Sequence, residues 1–178
     1  MTYFMMTLLF QSVVVFFLGL IVGSFLNCVI YRLEKGKSFL KGRSFCPHCR
    51  HTLSSWDLIP VVSFIFLRGR CRYCKKKISW QYPAIEISTG LVFLLIFNSY
   101  FRTFCVRLDD FLFLLPATII FNQFLMFNSY LVICSFLIVI FVYDLKHYII
   151  PDKVVFMAIV IALIFNFSLP MWPASSVD

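Results

Sequence analysis

Apolar residues run through this chain in long, nearly unbroken stretches, not at the three-to-four-residue spacing of a helix that is wet on one face. The first stretch extends from about Leu8 to Ile30. That exceeds the roughly 20 residues needed to cross a bilayer core, so it predicts a membrane helix. Further apolar runs cover about 84–101, 111–127, 131–143 and 154–169. Between the first two runs lies one hydrophilic interval, residues 32–81. The pattern predicts membrane helices interrupted by a single polar loop.

Composition agrees. Hydrophobic residues make up 61% of the chain and charged residues 13%, against about 45–50% and about 25% in soluble domains. Lipid is the solvent that accommodates such a surface. The formal charge of +8 is concentrated in the loop: twelve of the sixteen Lys and Arg fall between Arg32 and Lys77, opposed only by Glu34 and Asp57. Short basic loops stay on the cytoplasmic side of a membrane. A basic cluster wedged between two apolar runs therefore reads as topology and anionic-lipid contact, not as a nucleic-acid site. Met1–Thr7 carries no basic residue and no small-residue cleavage pattern follows the first run, which argues against a signal peptide and places the N-terminus outside.

The same rule arbitrates the later runs. The segment DLKHYIIPDK carries Lys146 and Lys153 and belongs on the cytoplasmic side, so an even number of crossings must separate it from the loop. Spans at about 84–101 and 131–143 supply two. Residues 111–127, which contain Pro116 and the pair Asn122–Gln123, are then expected to be re-entrant or interfacial. A last span at about 154–169 leads outward. The expected architecture is an all-α polytopic membrane protein with a small zinc-ribbon-like cytoplasmic loop domain: a first helix within 1–31, the loop at 32–81, and a membrane part at 82–178.

Three polar features stand out against this background. Gly19 and Gly23 form a G-x-x-x-G through which another helix can approach closely. Ser24 and Asn27 lie near the inner end of the first helix, equally suited to hydrogen-bonding another helix or to lining a site. Glu86 sits near the start of the second span, where a carboxylate either snorkels to the interface or faces a partner.

The loop holds Cys46, Cys49, Cys71 and Cys74, two C-x2-C pairs separated by twenty-one residues. Two residues between thiols let a tight turn aim both sulfurs at one ion, and the longer gap lets a hairpin bring in the second pair. Four thiolates complete a tetrahedral Zn²⁺ site with no open position, a structural arrangement. His48 and His51 could replace a ligand but are not required. A cytoplasmic loop is reducing, which favours a metal over disulfides. A polar loop of this length is hard to fold unaided, so metal binding would supply its folding energy.

Asp144 follows the 131–143 run directly. A carboxylate at a helix C-terminus opposes the macrodipole, which leaves a polar anchor and a catalytic role equally open. His147 and Tyr148 follow at i+3 and i+4 on the same predicted face, before Pro151. Asp152 reads as a cap of the final helix. A lone carboxylate does not suffice for aspartyl peptide hydrolysis, which needs two carboxyl groups, one activating water and one protonated toward the carbonyl.

Five fragments in order, GSFLNCVIYRL (23–33), the two Cys pairs, DLIPVVSFIFLRGRCRYC (57–74), ISWQYPAIE (78–86) and DLKHYIIPD (144–152), resemble the type IV prepilin peptidases. The resemblance implies a multi-pass aspartic endopeptidase of the bacterial inner membrane that removes the basic leader of prepilins and pseudopilins at the cytoplasmic face. Many members then N-methylate the new terminus, which makes S-adenosylmethionine an implied cofactor. Asp144 corresponds to the first of the two catalytic aspartates, and Glu86 is a candidate in methylation. The family's second aspartate lies in a Gly-x-Gly-Asp motif that is not in these 178 residues. Residues 82–178 are accordingly expected to be a partial peptidase domain, truncated at its C-terminal end and inactive alone. The competing expectation is a non-catalytic zinc-loop membrane protein that binds pilin-like substrates.

Overall fold

The computed structural model describes residues 2–36, 42–108, 117–148 and 151–168. Among these residues five α-helices follow one another: α1 (Thr2–Glu34), α2 (Val62–Phe66), α3 (Gln81–Leu108), α4 (Ala117–His147) and α5 (Asp152–Ser168), with a 3-10 turn at Ser55–Leu58 before α2. The described residues contain no extended strand, only two isolated β-bridges in the loop. Among the described residues three helices are long and apolar enough to cross a bilayer, over Met6–Glu34, Gln81–Phe101 and Phe121–His147, while the apolar stretch of α5, Val154–Phe165, is shorter. The protein is a mostly helical integral membrane protein. It divides into two compact units, Met1–Leu95 and Ile96–Asp178.

In the first unit α1 and the start of α3 meet through glycines. A Cβ on Gly19 would lie 2.7 Å from Gly90 Cα, and one on Gly23 would lie 2.8 Å from Glu86 Cα. The backbones can approach this closely only because those side chains are absent, the role expected of the G-x-x-x-G. The seam is closed by Leu20, Leu26, Ile30, Ile85 and Phe93, all buried. Thr89 is buried among them and returns its hydroxyl to Ile85 O at 2.7 Å, so the seam keeps no unpaired hydroxyl there. The outer surface of α1 exposes Phe10, Phe17, Ile21 and Phe25, a face suited to acyl chains. Gly36, at φ +62°, ends α1 with its N–H on Leu33 O, a turn that a left-handed residue provides.

In the second unit α4 packs against α5. Hydropathy separates 111–127 from 131–143, yet one helix runs from Ala117 to His147; residues 111–116 lie outside the described residues. Gln123, Asn128 and Ser129 are satisfied within the helix or by its neighbour. Asn128 donates to Phe124 O at 2.8 Å, Ser129 to Met126 O at 2.7 Å, and Gln123 accepts from the Tyr100 hydroxyl through both its backbone and side-chain oxygens. Polar side chains bonded in this way do not interrupt the backbone ladder.

The glycine seam makes a direct prediction. Gly23→Leu drives a side chain into the Ile85–Glu86 backbone and should cost about 3 kcal/mol or more, seen as a large fall in thermal stability of the detergent-solubilised protein. Ile21→Leu, on the exposed side of the same turn, should leave stability unchanged; equal behaviour of the two would refute the seam.

Candidate metal centre and carboxylate sites

The loop of the first unit contains the same knuckle twice, twenty-five residues apart. Cys46 N donates to His51 O and Cys71 N to Lys76 O, both at 2.9 Å; Arg50 N returns to Cys46 O and Lys75 N to Cys71 O, at 2.9 and 3.0 Å. Each knuckle closes with one β-bridge, Phe45 with Thr52 and Arg70 with Lys77. The residue after each second cysteine, Arg50 or Lys75, adopts φ +58°. That left-handed step turns the backbone so that both sulfurs of a pair point to the same side. The amino-acid sequence does not display the duplication, because only the cysteines and a trailing basic residue are common to FCPHCRHT and RCRYCKKK. The repeat resides in the hydrogen bonds.

The two knuckles bring Cys46, Cys49, Cys71 and Cys74 together, with all four sulfurs within 4.8 Å of one another. Cys46 Sγ and Cys74 Sγ are 4.0 Å apart, near the edge of about 3.8 Å that a tetrahedron with metal–sulfur bonds of about 2.3 Å would have. These cysteines are free thiols, and the four can hold a metal ion. Burial pushes the Cys71 thiol up, but the backbone at Cys74 and Tyr73 and the thiols of Cys46 and Cys74 together outweigh it and bring Cys71 from 9.0 to about 7. A backbone hydrogen bond at His51 pulls Cys49 down, yet desolvation and the neighbouring Cys46 and Cys74 sulfurs raise it to about 11. One thiol ionises readily and the next resists, as four crowded sulfurs must until a cation neutralises them. His51 is occupied elsewhere: its ring lies 3.7 Å from that of Tyr73, across the two knuckles.

Asp57 ties the knuckles together. Its Oδ2 accepts from Ser54 N at 3.2 Å and Ser54 Oγ at 3.0 Å, closing the 3-10 turn, and its Oδ1 accepts from Arg72 Nε at 2.7 Å, between Cys71 and Cys74. Burial alone would push the Asp57 carboxyl up; the Ser54 hydroxyl and N–H and the Arg72 guanidinium overcome it and hold the group below its ordinary value.

Glu86 is buried. Its Oε2 accepts from Val61 N at 2.7 Å, and Ser24 of α1 also hydrogen-bonds it. Val61 adopts φ 60°, ψ −47° and is bridged by Val62 N to Pro60 O, the rare γ-turn that strains a β-branched residue. Between the knuckles, α1 and α3 lies a cavity of about 500 Å³ whose lining includes Ser24, Asn27, Tyr31, Tyr82 and Glu86. Asn27 donates to Tyr82 O at 2.9 Å, but its buried Oδ1 has no partner among the described residues.

Asp144 belongs to the second unit, in the last turn of α4, exposed. His147 ends the helix, its ring 4.6 Å from Tyr143. Tyr148 does not continue the face it shares in a regular helix: at φ 53° it turns out, caps Asp144 O with its N–H at 2.7 Å, and exposes its ring. Asp152 is the first residue of α5, while Pro151 O receives Val154 and Val155 N–H. Its charge thus favours the helix N-terminus without being the cap residue.

Comparison with known proteins supplies context for this geometry. Residues 17–100 match the sequence profile described as Bacterial Peptidase A24 N-terminal domain, and residues 131–177 that described as Type IV leader peptidase family. The chain is similar to a Prepilin leader peptidase/N-methyltransferase of Myxococcus xanthus, 49% identical over 82 residues, which is 46% of this chain and 24% of the relative. It is 42% identical over 100 residues to the enzyme of that name from Neisseria gonorrhoeae (43% and 35%), and 42% identical over 80 residues to that of Bacillus subtilis (45% and 32%). The chain thus spans about a quarter to a third of the length of these curated relatives. No solved structure matches it.

Because the folded Asp57 has a lowered pKa, its contribution is complete above the ordinary carboxylate value and disappears as pH falls through the lowered one. Protease resistance of the loop should decline over that acidic range. In Asp57→Asn, resistance should already be weaker at pH 7, by about 1 kcal/mol, and should lose this pH dependence. An unchanged acid profile would count against Asp57 as the tie.

Proposed function

We propose that the chain, which matches the Type IV leader peptidase family over residues 131–177 and the Bacterial Peptidase A24 N-terminal domain over 17–100, carries the metal loop and first catalytic aspartate of an aspartic prepilin peptidase. The observation that carries this reading is Asp144, a carboxylate exposed at the mouth of an apolar helix within the segment that matches the family. An exposed carboxylate there can reach a leader peptide at the membrane surface. With a second carboxyl group it shares one proton, so that one group activates water while the other polarises the scissile carbonyl. The substrates are prepilin or pseudopilin leaders, cut at the cytoplasmic face of the bacterial inner membrane, where the basic loop also lies.

The four thiols are proposed to hold Zn²⁺. A set of four thiolates leaves no open position, which supports a role for the ion in folding the loop and not in chemistry on substrate. The protein should carry one zinc, and Cys71→Ser should lose most of it, with the loop becoming sensitive to protease. A variant that keeps stoichiometric zinc would rule out the four-thiolate set.

The names of the relatives also include N-methyltransferase. S-adenosylmethionine would supply an electrophilic methyl group carried on a sulfonium. The cavity of the first unit is large enough for it, and its lining sets the Glu86 and Asp57 carboxylates beside Arg32, Arg43, Arg72 and Lys77, a mixture suited to a ligand that carries both a sulfonium and a carboxylate. Tyr31 and Tyr82 add aromatic faces.

Cleavage tests the proposal. Membranes containing this protein together with a polypeptide that supplies a Gly-x-Gly-Asp segment should remove a prepilin leader, and Asp144→Asn should slow this by about 10³-fold or more. Undiminished cleavage by the Asn variant would sink the assignment. Prepilin binding that survives Asp144→Ala, with no cleavage in any combination, would favour the non-catalytic alternative.

A further inference from the structure

Neither the metal nor the carboxylates use the apolar surface of the loop. Trp56, Ile65, Phe66 and Trp80 are exposed by 73, 67, 82 and 76%. They belong together: the turn that carries Trp56 packs on α2, α2 contributes Ile65 and Phe66, and the α2 ring Phe64 lies 4.9 Å from Trp80. Two contacts set the height of this patch. Trp80 immediately precedes α3, whose apolar span begins at Gln81. The Val61–Glu86 hydrogen bond pins the residue before α2 beside a point five residues into that span, about 7–8 Å along the helix at 1.5 Å per residue. The patch is thus level with the first turns of a membrane helix. Exposed cations, Arg68, Arg70, Lys75, Lys76 and Lys77, follow α2 in the same loop.

Aromatic and aliphatic side chains at the depth of the headgroups, next to Lys and Arg, form the combination that binds an anionic bilayer surface. We propose that α2, Trp56 and Trp80 constitute an interfacial anchor seated in anionic lipid beside α3, holding the metal loop at a fixed depth against the membrane. The occupant is lipid because the patch is continuous with a spanning helix and its flanking charge is complementary to anionic headgroups. The inference rests on α3 crossing the bilayer.

The protein has three tryptophans, so Trp56→Phe with Trp172→Phe leaves Trp80 as the sole reporter. In vesicles of phosphatidylglycerol and phosphatidylcholine with brominated acyl chains, Trp80 emission should be quenched at least twofold and shielded from aqueous acrylamide. Phe66→Asp in that background should reverse both effects. A second reporter, Phe66→Trp with all three native tryptophans changed to Phe, should behave as Trp80 does. Leu95→Trp in the same tryptophan-free background reads the span itself. Quenching at 95 but not at 66 or 80 would overturn the anchor while leaving the span intact; no quenching at 95 would overturn the premise and the anchor with it. Equal quenching of Trp80 in purely phosphatidylcholine vesicles would overturn the choice of anionic lipid. Acrylamide shielding that depends on protein concentration, without lipid quenching, would assign the patch to a second copy of the protein and overturn the proposal.

Discussion

A carboxylate five residues inside an apolar helix must find hydrogen-bond donors, because an unpaired one is far too costly there. Glu86 finds them on two remote stretches, Ser24 of α1 and the backbone of Val61 in the loop. The same point of α3 is where Gly23 lets the α1 backbone approach closely. One residue therefore joins the first helix, the loop and the second span. Val61 occupies a γ-turn that its branched side chain disfavours, and its hydrogen bond to a buried carboxylate offsets that strain.

The loop built on this junction has little apolar core of its own: among its described residues only Cys46 and Cys71 are buried members of the hydrophobic set. Its order comes from polar contacts, the duplicated knuckle hydrogen bonds and the Asp57 tie to Ser54 and Arg72. Such a structure leaves four thiols crowded together, with ionisation of Cys49 disfavoured by its neighbours. A bound cation would resolve that conflict, and the four cysteines are placed where they can hold one.

The second unit follows a different logic. α4 carries Gln123, Asn128 and Ser129 through a mostly apolar helix, with bonds to Tyr100 or to its own backbone. The helix ends where Tyr148 turns out and caps the carbonyl of Asp144, so the carboxylate stands in the last turn with its side chain in the open. The family relationship gives that position meaning; the local geometry alone shows a carboxylate that is available.

The protein's class, its loop and its thiol set were legible in the sequence because they depend on local rules: unbroken apolar runs require lipid, clustered Lys and Arg mark the loop, and C-x2-C spacing aims sulfurs at one ion. The close approach at Gly19 and Gly23 was legible for the same reason. The partner of Glu86, the repeat of the knuckle and the pairing of His51 with Tyr73 were not. Each joins residues far apart along the backbone, through peptide groups every residue has or through a ring whose neighbour only folding selects. The continuity of α4 across Asn122–Gln123 and Asn128–Ser129 belongs with them: hydropathy counts polar atoms as breaks, and only the tertiary structure shows which have partners. Sequence determined what this protein is dissolved in and which atoms could meet a metal; the fold decided which polar groups pair, because pairing depends on distances in space.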